Sequence, residues 1–216
     1  MIAAKVTYRG TGIQLQGSPE ELEMLYSTVH RLSFGVSTLQ WDPLLQELMS
    51  FAYEVRKGFC GARLRIQRSP EPVIMGFRYY LPYIIVVSNV LRFAAGRVTT
   101  TRADQGQLQH LETILRQAIL KHNPAADALA ALVGQGLLVE TRYVGVLTEK
   151  LTLVYVKSRP DKYRFGRLAS DLQAYFNPAS NQYKAVEQHV KAALDEQGGY
   201  ISDLTYENYW PEKIIW

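Results

Sequence analysis

Residues 42–68 constrain the fold more than any other stretch, because an amphipathic helix, a glycine-marked turn and an arginine-studded strand follow one another there. Asp42 can cap a helix N-terminus with its carboxylate, and Pro43 then falls at the first helical position, where its missing N–H costs nothing. Leu45, Leu48, Met49, Ala52, Val55 and Phe59 recur at three- and four-residue spacing, which predicts one apolar helical face. Arg56 and Lys57 complement the carbonyl end of the helix dipole, and Gly58 or Gly61 can supply the left-handed residue that ends it. From Arg63 the pattern alternates, with Leu64 and Ile66 on one side and Arg63, Arg65 and Gln67 on the other, which is the period of a strand. Those arginines read either as charge that guards an edge strand against a neighbour or as contacts for an anion or nucleic acid.

Upstream, residues 3–8 and 12–16 are expected as two short strands about the turn Arg9-Gly10-Thr11. Ser18, Pro19 and Glu21 spell a capping box, and Leu22, Leu25, Tyr26, Val29 and Leu32 give the helix that follows its buried stripe. His30 and Arg31 suit its last turn, with Gly35 just beyond. Downstream, residues 73–80 read as a strand, and Pro82 starts a helix that reaches Ala95 and closes at Gly96. Asp104 with Gln107 forms a second capping-box pattern ahead of Leu108, Leu111, Leu115, Ala118 and Ile119. Asn123-Pro124 ends that helix and opens a short alanine-rich one to Val133. Residues 137–147 and 150–157 are β-branched and partly alternating, which predicts a hairpin turning at Thr148-Glu149. Phe165, Leu168, Leu172, Tyr175 and Phe176 mark one more helix. Ser180 caps another that bears Tyr183, Val186, Val190 and Leu194 and closes at Gly198-Gly199.

Strands in local pairs and helices in local pairs predict an α+β fold of short antiparallel strand pairs packed with amphipathic helices. The polar connection at 99–106 is the natural hinge. It divides an N-terminal α+β region, residues 1–98, from a C-terminal helix/hairpin/helix region, residues 103–216, unless the two form one continuous domain.

Leu25-Tyr26 with His30, Tyr53-Glu54-Val55-Arg56-Lys57, Gly61-Ala62-Arg63 and the stretch 76–80 leading to Pro82 carry a likeness. On these features residues 5–95 resemble an uncharacterised bacterial family of small α+β domains, a domain of unknown function. The resemblance implies an α+β fold and brings no activity or catalytic residues. Residues 103–216 take no part in it.

The longest apolar stretch, 81–95, falls short of the ~20 residues of a membrane span and contains Asn89 and Arg92. The N-terminus shows a strand pattern rather than a basic start and an apolar signal core. A single cysteine, Cys60, excludes an internal disulfide and a cysteine-built metal cage, and it is expected as a buried structural thiol. A cytoplasmic protein with no membrane association follows as the expectation. The net charge of +4 is unevenly spread: residues 54–102 hold nine Lys/Arg against two Asp/Glu, and residues 154–191 hold seven against three. The last 25 residues hold one against five. Such asymmetry concerns steering of charged partners rather than fold.

Neither a phosphate-cradling glycine loop nor an HExxH zinc motif occurs, and His30, His110, His122 and His189 are scattered singly, so no metal and no cofactor is expected. Tyr26 and His30, four apart on one helix, are expected to meet as packing. Arg116 and His122 fit the arginine–histidine spacing of the helical ribonucleases called HEPN domains, where the histidine assists proton transfer and the arginine stabilises phosphate charge. Lys157, Arg159, Lys162, Arg164 and Arg167 alternate with Tyr155, Tyr163 and Phe165, a mixture that suits single strands, with cations on phosphates and rings on bases. The same pattern also suits a solvated basic loop whose rings face the core. Tyr206, Tyr209, Trp210 and Trp216 are too many rings to leave in water, so the tail is expected to pack on its own core or on a partner.

The sequence thus points to a non-catalytic binding or accessory protein that contacts RNA, DNA or another polyanion through Arg63, Arg65 and residues 157–167. The alternative is a protein-interaction or self-assembly module, a homo-oligomer included, that uses the aromatic tail. A ribonuclease built on Arg116 and His122 is the third reading.

Overall fold

The computed structural model describes residues 1–38, 42–67, 72–160, 162–197, 199, 201, 204 and 210–216. Strands β1 (Ala3–Val6) and β2 (Gly12–Gly17) form the expected antiparallel hairpin. β3 (Leu64–Ile66) and β4 (Ile74–Tyr80) complete a four-stranded antiparallel sheet in the order β1-β2-β4-β3. β3 therefore lies at an edge, where its exposed Arg65 keeps further strands away. Val6, Ile13, Leu15, Phe77 and Tyr79 share one sheet face and are buried. Lys5, Gln14 and Arg78 line up across the other face and stay accessible.

Helix α1 (Pro19–Ser37) starts as its sequence dictates: the Glu21 amide donates to Ser18 Oγ at 3.3 Å, and the Ser18 amide donates to Glu21 Oε2 at 3.0 Å. It does not stop before Gly35. The helix runs through that glycine because a Cβ there would sit 2.7 Å from Val98 Cγ1; the missing side chain serves close packing, not termination. Helix α2 (Asp42–Phe59) ends at the Gly61 turn, where φ is +72° and the Ala62 amide donates to Lys57 O at 3.0 Å.

The buried face of α2 is rotated from the one the spacing predicts. Leu44, Glu47, Leu48, Phe51, Ala52 and Val55 are buried, whereas Met49 is 43% exposed. Phe51, the largest residue of the face, sets the rotation by packing edge-on against Phe77 and Tyr79, with ring centroids 6.0 and 5.4 Å away. Cys60 is exposed rather than buried, because it follows the last residue of α2 and sits in the turn.

Helix α3 (Leu81–Ala95) is buried along most of its length. Its polar residues anchor a loop: Asn89 Nδ2 donates to Leu132 O at 2.7 Å, and Ser88 Oγ accepts from the Gly134 amide at 2.9 Å. Among the described residues no helix is long and apolar enough to cross a membrane. Helix α4 (Arg102–His122) is capped by Thr101, three residues earlier than the sequence pattern placed its box. Asp104 is the N3 partner of that cap and faces inward, 1% exposed, where Arg31 and the Thr28 hydroxyl donate to it at 2.7 to 3.1 Å. A short helix α5 (Asp127–Ala131) follows.

The hairpin expected at 137–157 is instead helix α6 (Val144–Lys157). Val144, Val146, Leu147, Thr148, Leu151, Thr152, Leu153 and Tyr155 are all buried, so α6 is apolar nearly all round and shows no 3.6-residue stripe. Its β-branched residues then imitate a strand. Thr148 satisfies its hydroxyl within the helix by donating to Val144 O at 2.6 Å. Helices α7 (Lys162–Tyr175) and α8 (Asn181–Gln197) complete the described elements, and the Tyr183 amide donates to the capping Ser180 Oγ at 3.1 Å. One hydrophobic cluster runs from the sheet through α3 to α6, α7 and α8.

Candidate functional site

A cavity of about 870 Å³ opens where α2, the β4–α3 junction, α6 and the C-terminal segment converge. Strand β4 runs directly into α3, so Tyr79, Tyr80 and Tyr83 cluster at one corner, with Tyr83 5.8 Å from Tyr79 and 6.3 Å from Tyr80 between ring centroids. α2 contributes Asp42, Glu47 and Glu54, and α6 contributes Gly145, Val146 and Glu149. The walls thus bring tyrosine faces and carboxylates together with aliphatic side chains such as Val146, Leu194 and Leu204.

Glu47 is the unusual member. It sits in the buried stripe of α2, three residues after Leu44 and four before Phe51. It is 6% exposed, and its Oε2 has no hydrogen-bond partner among the described residues. Burial, reinforced by the Glu149 charge, pushes its carboxyl up to about 7. Burial also holds the Tyr79 and Tyr83 phenols well above their ordinary value, and the Glu47 charge adds to both effects, so they remain donors at neutral pH. The α6 backbone comes close because residue 145 is glycine; a Cβ there would sit 3.1 Å from Glu47 Oε1.

Cations stand at the rim and are engaged. Arg63 donates bidentately to Glu54 at 2.6 and 2.8 Å, and Lys57 Nζ lies 4.2 Å above the Tyr53 ring. Arg142 donates to the Tyr143 hydroxyl at 2.6 Å. The tail closes another side: Trp210 Nε1 donates to Glu149 Oε1 at 3.2 Å, and its ring lies 5.2 Å from that of Tyr80. Trp216 stacks on Tyr80 at 5.0 Å, and Thr11 Oγ1 donates to Ile215 O at 2.5 Å. The described tail rings thus pack on their own chain. Tyr206 and Tyr209 lie outside the described residues.

The basic residues singled out from sequence are spread over several places. Arg63 and Arg65 belong to the β3 edge, with Arg63 paired to Glu54. Arg164 is an interior residue, 5% exposed, and its guanidinium donates to Arg9 O at 2.7 Å, to Thr11 Oγ1 at 3.1 Å and to the Tyr155 and Ser158 carbonyls at 3.3 Å. It fastens the β1–β2 turn to the α6–α7 connection, and β3 lies at the far edge of the sheet from β1. Lys157, Arg159, Tyr163 and Arg167 are exposed around it. Lys162 opens α7, and its side chain lies outside the described set.

Arg116 and His122 take different partners. Arg116 donates to Val133 O at 2.6 Å and pairs with Glu112, whereas the His122 ring packs 4.9 Å from Phe165. Six residues along a helix set them about 9 Å apart in rise and on different sides. Tyr26 and His30 do meet, as tilted rings 5.6 Å apart. Among the described residues no group of three or more His, Cys, Asp or Glu is placed to hold a metal ion.

The carboxylate in the cavity was legible only as an anomaly, a glutamate inside an apolar stripe, and the stripe itself had to be phased correctly to show it. No curated protein and no solved structure matches the chain. A family model described as a domain of unknown function (DUF6904) matches residues 2–216, so the uncharacterised family expected from residues 5–95 extends over nearly the whole chain, which belongs to it.

Proposed function

We propose that the protein is a non-catalytic binding protein that holds a small organic molecule in the cavity between α2, the β4–α3 junction and α6. The buried Glu47 carboxylate carries this reading: an acceptor with no partner among the described residues, lining a cavity of about 870 Å³, is a group that a ligand would satisfy. The volume falls within the range of small-molecule sites, and the mixture of rings with a few polar groups is their usual composition. Ligand-observed NMR of a fragment library, run on the wild-type chain and on Gly145→Leu, tests it. Fragments should bind the wild type and be lost from the variant, whose new side chain grows into the cavity. An empty screen, or hits indifferent to the substitution, overturns the reading.

A second reading concerns polyanions. Arg164 holds the Arg9 turn against the α6–α7 connection, which sets Tyr8 (89% exposed) and Arg9 on the same part of the molecule as Tyr163 (75% exposed), Arg159 and Arg167. Exposed rings among cations suit single-stranded RNA or DNA. Fluorescence-anisotropy titration with labelled single-stranded RNA, single-stranded DNA and duplex DNA at low and near-physiological salt checks it. Arg159→Ala with Arg167→Ala should lower both affinity and salt slope, because each lost phosphate contact releases fewer counterions. Unchanged affinity removes this surface from consideration.

A further inference from the structure

Among the described residues the buried Glu47 Oε2 has no hydrogen-bond partner, and a second carboxylate, Glu149, lines the same cavity. We infer that the ligand is a protonated primary or secondary amine, whose N–H groups donate to Glu47 and whose organic body lies against Tyr79, Tyr80, Tyr83 and Trp210. This rests on reading the cavity as a binding site.

Three alternatives fit the cavity less well. A bare metal ion needs a closer set of ligands than the described residues bring together, and it would leave most of the cavity unfilled. A quaternary ammonium would enjoy the ring faces but has no N–H for Glu47. A neutral molecule supplies no opposite charge for the Glu47 carboxylate that lines the cavity. A protonated amine supplies the donor and the opposite charge, and the negative faces of the rings favour it again.

Glu47 is faced by Glu149 on α6 and by Tyr79 and Tyr83 of the β4–α3 corner, with Asp42 and Glu54 on its own helix and Arg142 at the rim before α6. The two phenols stay protonated because burial raises them. Glu47 changes charge between pH 6 and 8, so amine binding should tighten with rising pH.

Isothermal titration of the full chain with 2-phenylethylamine, 2-phenylethanol and the corresponding trimethylammonium compound, each at pH 6 and pH 8, tests the inference. The amine should bind at least about tenfold tighter than the alcohol and tighten by about tenfold over that range, since a carboxyl with pKa near 7 goes from roughly a tenth to nine-tenths ionised. Glu47→Gln should bind weakly and without pH dependence, and Glu149→Gln should keep the pH dependence. Should either variant fail to fold, the wild-type ratio of amine to alcohol decides. Equal binding of the trimethylammonium compound overturns the N–H donation to Glu47. Equal binding of the alcohol, or binding by none of the three while other fragments dock, overturns the amine and leaves the cavity reading standing. An empty fragment screen brings down both.

Discussion

The Glu47 carboxyl holds its proton more tightly in the folded chain than in the unfolded one, since burial and Glu149 raise it from 4.5 to about 7. A group raised in this direction contributes stability that is present below pH 4.5 and lost as pH climbs through 7. Glu47→Gln should therefore match the wild type near pH 4.5 and exceed it above pH 7, by on the order of 3 kcal/mol in urea denaturation. A constant difference across that range would mean the carboxylate is solvated. Arg164 is the opposite case, a buried charge surrounded by carbonyl oxygens. Arg164→Ala removes these buried hydrogen bonds, among them the one to the Arg9 carbonyl, and should cost on the order of 3 kcal/mol, whereas the exposed Arg159→Ala should stay within about 0.5 kcal/mol. Equal effects in the same experiment would place both side chains in solvent.

Between elements, Asp104 is the clamp that joins α1 to α4. Burial alone would raise its carboxyl, but hydrogen bonds from Arg31, Thr101 and Thr28 outweigh burial and hold it well below the ordinary carboxylate range. Stability from a lowered carboxyl is present above 3.8 and lost as pH falls through the folded value. Asp104→Asn should cost on the order of 2 kcal/mol at neutral pH, with the gap to wild type narrowing below about pH 4; a gap that persists in acid would assign the loss to packing. Helices with one wet face could be read from sequence: Ser18 and Glu21 announced α1, and Ser180 announced α8. α6 could not, because a helix covered around most of its surface loses the period that betrays it, and its valines and threonines then speak for a strand. The rotation of α2 was hidden for a related reason. Leu45 and Met49 are as apolar as Leu44 and Phe51, and only the Phe51–Phe77–Tyr79 packing chooses between the two faces.

Across the whole molecule the sheet, the paired helices and the α+β class follow from local patterns, whereas the cavity draws on four segments from Asp42 to Trp210 that no local pattern relates. The C-terminal rings were expected to be covered, and for Trp216 the cover is Tyr80 and the space left by Gly12, where a Cβ would sit 2.7 Å from Trp216 Cζ3. Trp216→Ala should cost on the order of 2 kcal/mol and lower the Tm by roughly 4–8 °C for a chain of this size. An unchanged melting curve would show that the segment adds nothing to the core.

Trp210 gives the protein a built-in optical reporter. Its indole N–H is bonded to a carboxylate of the cavity wall, and its ring lies over one of the tyrosines that line the same space. Indole emission responds to the charge and polarity next to it, so an occupant that neutralises Glu149 or expels water from the corner changes the colour of the light this residue gives back. Occupancy of the cavity can then be followed in the unlabelled protein, with Trp210→Phe separating its signal from those of Trp41 and Trp216.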